Sequence, residues 1–208
     1  MMNKIYVVGG GPGNIDYIIP IGMKKIKEAD IVVGGKRNLD SIDIKGKEIF
    51  IIKNNLNDVI DFIKKNYIDK KLVVILSGDP GFYGMLEYLK RYFDKEMLDV
   101  IPGISSIQYL FSKIGESWND SFFCSLHGRD VDIVDIVKKN RKVGVLMDNK
   151  MKPEIVAQIL LDAGIKEKTI YLGQDLSYKN EKIIVGTVYD ISKITSNGLC
   201  AMVIIDGI

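Results

Sequence analysis

The sequence has little cysteine, histidine or excess charge. Its two cysteines and one histidine are too few for a transition-metal site built by the protein itself. It lacks the apolar run of about 18 residues that spans a membrane, and we expect no signal peptide, because its first residues contain no long apolar stretch. Lys and Arg number 29 against 27 Asp and Glu, so no basic excess suggests nucleic acid. We therefore expect a cytoplasmic protein with no metal of its own and with no nucleic acid or membrane as partner.

The two cysteines, Cys124 and Cys200, lie far apart in a chain rich in lysine. Free thiols are expected for such a pattern, because disulfides are uncommon in cytosolic proteins. Cys124 follows Phe122 and Phe123, which predicts a core position rather than a catalytic one.

The first half of the chain alternates short apolar runs with helical patterns. The runs end at Gly or Pro and are rich in Val and Ile, which is typical of buried strands in a parallel sheet. The predicted strands are 4–10, 30–35, 47–52, 71–78 and 98–103. The predicted helices are 19–29, 56–67, 84–93 and 104–114. This alternation predicts an α/β unit.

The second half is richer in strands, several of them close enough in sequence to pair antiparallel. Predicted strands begin near 121, 142, 168, 181 and 199, and predicted helices cover 131–139 and 153–163. A polar stretch at 112–121 interrupts the pattern and is the candidate linker. We predict two α/β domains, 1–114 and 115–208, with a ligand cleft between them.

The glycine-rich loop GGGPGN, residues 9–14, follows the first predicted strand. A dinucleotide fingerprint needs a third glycine where Asn14 stands, and an acidic residue where the second strand ends in VVGG, 32–35. A phosphate loop needs Lys and Ser or Thr after its last glycine, and Pro12 removes one N–H donor. The sequence therefore disfavours a nicotinamide-dependent oxidoreductase. A tight turn, or a backbone that a ligand approaches closely, remains.

Two similar loops follow later strands, SGDPGFYG at 77–84 and PGISS at 102–106. Ligands of open α/β sheets bind outside the carboxyl ends of the strands, so these loops and residues 9–14 are expected to share one crevice. Asp79 is suited to accept hydrogen bonds from a ligand amine or from loop N–H groups. The alternative is that Asp79 only caps the helix that follows.

These loops make the sequence similar to the tetrapyrrole methylase family. The resemblance covers essentially the whole chain and rests on GGGPGN, ADIVVGGKR (29–37), SGDPGFYG, PGISSIQY (102–109) and SLHGR (125–129). PGISSIQY, followed by Trp118 and SLHGR, is typical of the branch that methylates C5 of cobalt-precorrin-7. The resemblance implies the class III S-adenosylmethionine (SAM) methyltransferase fold, with two α/β domains and the cofactor in the cleft between them.

The resemblance also implies which residues contact SAM. Gly78 and Asp79 would flank its methionine end, and Met147 would line the adenine pocket. The full set of implied cofactor residues is Pro12, Gly78, Asp79, Phe82, Ser105, Ser106, Met147, Leu176 and Ala201.

On the substrate side, the resemblance implies a tetrapyrrole with acetate and propionate arms, which cationic side chains can bind. The candidates are His127, Arg129, Arg37 and Lys36. No covalent nucleophile is evident, and His127 is the one candidate for acid–base catalysis. For His127, carboxylate binding and a structural role remain as alternatives.

The implied activity is SAM-dependent methylation of C5 of cobalt-precorrin-7 in cobalamin (vitamin B12) biosynthesis, with S-adenosylhomocysteine as the other product. The alternatives are a methylase acting at another carbon of a tetrapyrrole, and a non-catalytic protein that binds SAM or a tetrapyrrole. A homodimer is expected. Because the chain ends at Ile208, the methylation and decarboxylation at C-15 are expected from a separate protein.

Overall fold

The structure is a computed structural model and describes residues 4–128, 130–148 and 150–207. The chain divides into two compact units between Ser105 and Ser106. Within the described residues, every helix is too short or too polar to cross a membrane. Cys124 and Cys200 are free thiols, as the sequence predicts.

The first unit is built on a five-stranded parallel sheet with the order β3-β2-β4-β1-β5. The strands are β1 (Ile5–Gly9), β2 (Ile31–Gly35), β3 (Glu48–Ile52), β4 (Leu72–Leu76) and β5 (Leu98–Ile101). The central strands β1, β2 and β4 are almost entirely buried, because helices or loops cover both faces of a parallel sheet. The predicted parallel α/β unit is confirmed.

Alternate residues of β4 supply two separate cores. Leu72, Val74 and Leu76 belong to one cluster, whereas Val73 and Ile75 belong to the other. This alternation follows from the period of two in a strand, which sends successive side chains to opposite faces. The first unit is therefore a layered structure with the sheet in the middle.

Two predicted helices of the first unit, 19–29 and 56–67, are confirmed to within one residue at each end. The helices of this unit are α1 (Pro20–Glu28), α2 (Lys36–Asp40), α3 (Leu56–Asn66) and α4 (Leu86–Leu89), with 3-10 turns at Ile15–Tyr17 and Lys95–Met97. Val59, Ile60 and Ile63 of α3 are buried, at the spacing of one apolar helix face. The predicted helix 84–93 is largely wrong, because only Leu86–Leu89 form α4. The sequence pattern did not predict α2.

The second unit contains a mixed five-stranded sheet with the order β6-β7-β10-β8-β9. Its elements are α5 (Ser106–Ile114), β6 (Phe122–Ser125), α6 (Ile133–Lys139), β7 (Lys142–Leu146), α7 (Pro153–Asp162), β8 (Lys168–Gln174), β9 (Lys182–Thr187), α8 (Val188–Ser192) and β10 (Cys200–Asp206). β6 and β7 are parallel, whereas β10 is antiparallel to both β7 and β8, and β9 is antiparallel to β8. The predicted antiparallel pairing in this half is confirmed.

Helix α5 belongs to the second unit, although the sequence places the domain boundary after it, at residue 114. Leu110 and Phe111 on α5 are fully buried, and the ring centroids of Phe111 and Phe123 are 6.3 Å apart. A Cβ atom at Gly144 of β7 would lie 2.8 Å from the Ile107 side chain. The apolar face of α5 therefore packs on the second sheet, and the units divide before the helix rather than after it.

The position of α5 predicts that Phe111→Ala destabilises the second unit. Removing this buried ring leaves a cavity, which for Phe→Ala costs about 3–5 kcal/mol of unfolding free energy. Urea denaturation followed by circular dichroism measures the loss. Ser112→Ala is the matched control, because Ser112 is the exposed neighbour on the same helix; a change there is expected to stay within about 0.5 kcal/mol. Equal losses in the two variants would contradict this packing.

Candidate functional site

The carboxyl ends of the first sheet bring the three glycine-containing loops to one edge. All five strands are parallel, so the segments after β1, β4 and β5 emerge on the same side. These segments are 9–14, 77–84 and 102–106. The expectation that the loops share one location is therefore confirmed, at the edge where ligands of such sheets bind.

Backbone hydrogen bonds join the first two loops. The Gly10 N–H donates to the Leu76 carbonyl at 2.7 Å. The Gly11 N–H donates to the Gly78 carbonyl at 3.2 Å, and the Gly78 N–H donates to the Gly11 carbonyl at 2.8 Å. The N–H groups of Gly10 and Gly11 are thus used within the protein. These two groups are therefore not available to an anion, and a phosphate cradle needs N–H groups directed at the anion.

Three glycines let the loops meet at van der Waals distance. A Cβ atom on Gly103 would lie 2.2 Å from the Gly78 carbonyl oxygen and 2.8 Å from the Gly9 Cα atom. A Cβ atom on Gly9 would lie 2.5 Å from Gly103. Gly78 also has a φ of 66°, which favours glycine. We call this contact of Gly9, Gly78 and Gly103 the glycine junction.

Asp79 ties the second loop to the third. Its Oδ1 accepts a hydrogen bond from the Gly81 N–H at 2.8 Å, and its Oδ2 accepts one from the Gly103 N–H at 3.0 Å. The alternative that Asp79 caps the next helix is wrong, because α4 begins seven residues later, at Leu86, after the cap residue Met85. Asp79 therefore holds the junction together.

The other predicted cofactor residues of this region lie in or directly after the loops that form the junction. Pro12 is half-buried next to Gly11. Ser105 is buried, and its Cα atom would lie 3.5 Å from a Cβ atom on Gly78. Ser106 follows as the first residue of α5. Phe82 is half-buried in the loop after Asp79, and its ring centroid lies 5.0 Å from that of Tyr83.

The predicted substrate residues Lys36 and Arg37 lie at the start of α2, directly after β2. Both are exposed, and the Lys36 ammonium forms an ion pair with Asp40 at 2.7 Å. The helix is linked to the loop 77–84, because the Ser77 hydroxyl donates to the Asn38 side-chain oxygen at 3.2 Å. Lys36 and Arg37 therefore share the sheet edge with the glycine junction.

The second unit gathers its predicted residues at one edge of its own sheet. β7 and β8 both run antiparallel to β10, so both end where β10 begins, and β6 is parallel to β7. His127, Met147 and Leu176 follow β6, β7 and β8, and Ala201 is the second residue of β10. Arg129 lies outside the described residues.

A cavity of about 410 Å³ opens at this edge, and we call it the second-sheet cavity. It brings together His127 and Met147, for which the family resemblance implies contact with the substrate and with the cofactor. The lining residues are His127, Met147, Asp148, Lys152, Pro153, Ser196, Asn197, Gly198, Leu199 and Cys200.

Leu176 and Ala201 are buried instead of lining the cavity. Leu176 is 4% exposed and Ala201 is 1% exposed, which leaves little side-chain surface for a ligand. The Leu176 side chain covers Gly173, where a Cβ atom would lie 2.6 Å from it, and Gly173 pairs with Ala201 across the strands. Leu176 and Ala201 therefore contribute packing at this edge of the second sheet.

Hydrogen bonds organise the charged part of the second-sheet cavity. The Asp148 carboxylate accepts backbone N–H groups of Met151 at 2.7 Å and Lys150 at 2.8 Å. These bonds, that from Met151 most of all, hold the pKa of Asp148 below its usual value, and the nearby His127 acts in the same direction. Asp148 is therefore a fixed negative charge beside His127 at neutral pH.

The two thiols differ in their surroundings. Burial raises the pKa of Cys124 to about 11, and Cys124 belongs to the core of the second unit, as predicted. Burial is also the main reason why the pKa of Cys200 is raised, so neither thiol is activated as a nucleophile. Within the described residues, no group of three or more His, Cys, Asp and Glu side chains could hold a metal ion.

Several residues that line the cavity were not predicted as site residues from the sequence. Asp148, Lys152 and the segment 196–200 are not in any of the motifs, and their position depends on strand pairing between β7, β10 and β8. One signal was available: Asp148 directly follows the predicted adenine residue Met147.

Comparison with known proteins supports the assignment that the loops suggest. The sequence model of the tetrapyrrole (corrin/porphyrin) methylases matches residues 4–192. A probable cobalt-precorrin-7 C(5)-methyltransferase of Methanocaldococcus jannaschii is 35% identical over 195 residues, which cover 90% of this chain and 91% of the relative. The cobalt-precorrin-7 C(5)-methyltransferase of Salmonella typhimurium is 34% identical over 177 residues, covering 85% and 87%.

Two further proteins extend the comparison. A precorrin-6Y C(5,15)-methyltransferase [decarboxylating] of Sinorhizobium sp is 25% identical over 180 residues, which cover 85% of this chain but 43% of that longer protein. The crystal structure of uroporphyrin-III C-methyltransferase from Thermus thermophilus complexed with S-adenosylhomocysteine has a TM-score of 0.78 and 16% identity, and the match covers 97% of each chain. With its family match over most of its length and its fold of two α/β units, the chain belongs to the tetrapyrrole (corrin/porphyrin) methylase family.

Proposed function

We propose that this protein transfers a methyl group from SAM to C5 of cobalt-precorrin-7 in cobalamin biosynthesis. The observation that carries the proposal is the identity of 34–35%, over most of both chains, with proteins named for this reaction. The site supports it, because both sheet edges present loops or a cavity of the kind that a bound cofactor needs.

The residues present fit SAM as the cofactor. The second-sheet cavity, at about 410 Å³, falls within the range of about 300–1,000 Å³ that is usual for small-molecule sites. We propose that the adenine lies there against Met147, with Pro153 and Leu199 as further apolar walls. Leu176 and Ala201 would support this pocket through packing rather than through broad contact.

At the first sheet, the glycine junction supports a role in holding the methionine end of SAM. Gly78 and Asp79 lie at the junction, Pro12 and Ser105 lie beside it in the adjoining loops, and Phe82 follows. Because the loop N–H groups of Gly10 and Gly11 are already bonded, the loops offer a close and neutral backbone surface. Such a surface suits a sulfonium cofactor better than a phosphate. Ser106 extends this contact set by one residue.

When bound, SAM supplies an activated methyl group, and the tetrapyrrole supplies an electron-rich carbon. The protein's task is to hold the two in line at near-attack distance, and such positioning is worth about 7–11 kcal/mol. Excluding water also helps when a cation and an electron-rich carbon neutralise one another. A covalent nucleophile on the protein is unnecessary for this reaction.

The substrate's carboxylates would be bound by Lys36, Arg37, His127 and Arg129. The ion pair of Lys36 with Asp40 does not oppose this role, because both side chains are largely exposed and such pairs contribute little to stability. Arginine is suited to bidentate binding of carboxylates. His127 is proposed to bind or orient a carboxylate.

The oligomeric state, the cellular location and the partner protein are also proposed. We propose that it acts as a homodimer and in the cytoplasm, where its two free thiols stay reduced. We also propose that a separate protein carries out the C-15 methylation and decarboxylation, since the relatives that this chain matches over 91% and 87% of their own length are named for C(5) methylation.

The methyl-transfer reaction is the direct test. Incubation with SAM and cobalt-precorrin-7 is expected to add one methyl group, detected by mass spectrometry and placed at C5 by carbon NMR. Metal-free precorrin and cobalt-precorrin-4 serve as competing substrates. Methylation at another carbon would favour the alternative corrin methylase, and SAM binding without turnover of any precorrin would favour the non-catalytic alternative.

Asp79→Ala is expected to weaken SAM binding about tenfold or more, because the N–H groups of Gly81 and Gly103 lose their acceptor and the loops separate. Leaving such donors unsatisfied costs about 1–3 kcal/mol. Calorimetric titration with SAM measures the effect. Asp43→Ala is the matched control, since its carboxylate also accepts a local N–H, that of Lys45 at 3.1 Å, but outside the loops that form the junction. Unchanged affinity in Asp79→Ala would remove Asp79 from the proposed site.

His127→Gln is expected to raise KM for the corrinoid while kcat and its pH profile stay close to those of the wild type. The amide keeps a hydrogen-bond donor but cannot titrate, so the variant separates binding from proton transfer. Steady-state kinetics between about pH 6 and about pH 9 covers the range in which an imidazole commonly titrates. A large fall in kcat with a lost titration step would make His127 an acid–base catalyst instead. A rise in KM for SAM alone would assign it to the cofactor.

A further inference from the structure

Asp175 has an unusual backbone conformation directly after β8. Its φ is 44°, in the left-handed region, and the φ of Ser177 is 67°. Asp enters this region more readily than most residues, but such a conformation persists only where the surroundings hold it. The contacts of Asp175 show what holds it.

Asp175 is bonded to Leu199 through both its backbone and its side chain. The Asp175 N–H donates to the Leu199 carbonyl at 2.8 Å, and Oδ1 of Asp175 accepts from the Leu199 N–H at 3.0 Å. Its Oδ2 accepts from the side-chain amide of Asn180 at 2.7 Å. One residue therefore satisfies both backbone polar groups of Leu199.

The backbone of Gly198 packs directly against the same carboxylate. Its φ is 74°, and a Cβ atom at this position would clash with the Asp175 side chain, because it would lie 2.4 Å from each carboxylate oxygen. Only glycine lets the chain pass this close. Asp175 and Gly198 therefore form a matched pair.

This pair determines the position of one wall of the second-sheet cavity. Gly198, Leu199 and Cys200 line the cavity, whereas Asp175 lies behind them. Leu199 is 45% exposed, so burial alone does not fix its position. The hydrogen bonds from Asp175 are the specific contacts that do.

We infer that Asp175 is a positioning residue for SAM: it holds the wall 198–200 against which the nucleoside half of the cofactor lies. The inference rests on the proposed function and extends it to a residue that does not itself contact the ligand. Asp175 acts through Leu199 and Gly198, by fixing the shape of the pocket before the cofactor binds.

Two variants of the full chain test the inference. Asp175→Gly keeps the left-handed backbone and removes both side-chain acceptors, whereas Asp175→Asn keeps one oxygen that can accept the Leu199 N–H. Asp175→Gly is expected to raise Kd and KM for SAM about tenfold, the change that loss of one charge-assisted bond brings. KM for the corrinoid stays unchanged, and Asp175→Asn retains most of the SAM affinity. Calorimetry and steady-state kinetics measure these values.

Asp190→Ala is the matched control for a loss of stability alone. The Asp190 carboxylate accepts the Thr187 N–H at 2.8 Å in the cap of α8, and Asp190 is not among the cavity-lining residues. This variant is expected to unfold at a lower temperature and to bind SAM like the wild type. If it weakens SAM binding as much as Asp175→Gly does, Asp175 acts only through general stability and the inference is overturned. Wild-type SAM affinity in Asp175→Gly overturns it as well.

A double-mutant cycle with Gly198→Ala gives a second readout. The added methyl group meets the Asp175 carboxylate in the native background, so its effect on SAM affinity is expected to be smaller when Asp175 is Gly. Additive losses would contradict the pairing. If the wild type binds no SAM, the proposed function itself fails; if the wild type binds SAM and the cycle is additive, only the role of Asp175 fails.

Discussion

The first unit depends on a contact in which three backbone segments meet at a distance that leaves no room for side chains. Gly9, Gly78 and Gly103 occupy that contact, and Asp79 closes it by accepting N–H groups from two of the loops. The parallel sheet makes the contact feasible, because strands that run the same way deliver their following loops to the same edge. The proposed cofactor residues of this unit then follow from their place in these loops.

The second unit gathers its residues at one edge through a different arrangement. Its sheet is mixed, and β10 begins where β6, β7 and β8 end. The cavity therefore has walls from segments far apart in sequence, and it contains the fixed charge of Asp148 beside His127. Hydrogen bonds between Asp175 and the backbone of Leu199 hold one of these segments, 198–200, in position.

Much of the fold and part of the site could be predicted from the sequence. Runs such as 71–78 predict buried strands because their central residues, Leu72–Leu76, are all apolar, and the loops after them predict the site edge. The two units divide before α5, whereas the predicted boundary follows it. The sequence cannot tell on which sheet the apolar face of α5 packs. The capping role considered for Asp79 was wrong for a related reason: its acceptor bonds run to Gly81 and to Gly103, and the second of these is remote in sequence.

The sequence by itself determined which segments form strands, which loops carry glycine, and the family to which the chain belongs. Local patterns suffice for this, because periodicity, β-branching and glycine act over a few residues. Tertiary structure alone decided that Gly9 and Gly103 are needed for contact between loops and that Leu176 is buried. It also decided that Leu199 is held by Asp175. These facts depend on distances between segments that only the pairing and packing of strands bring together.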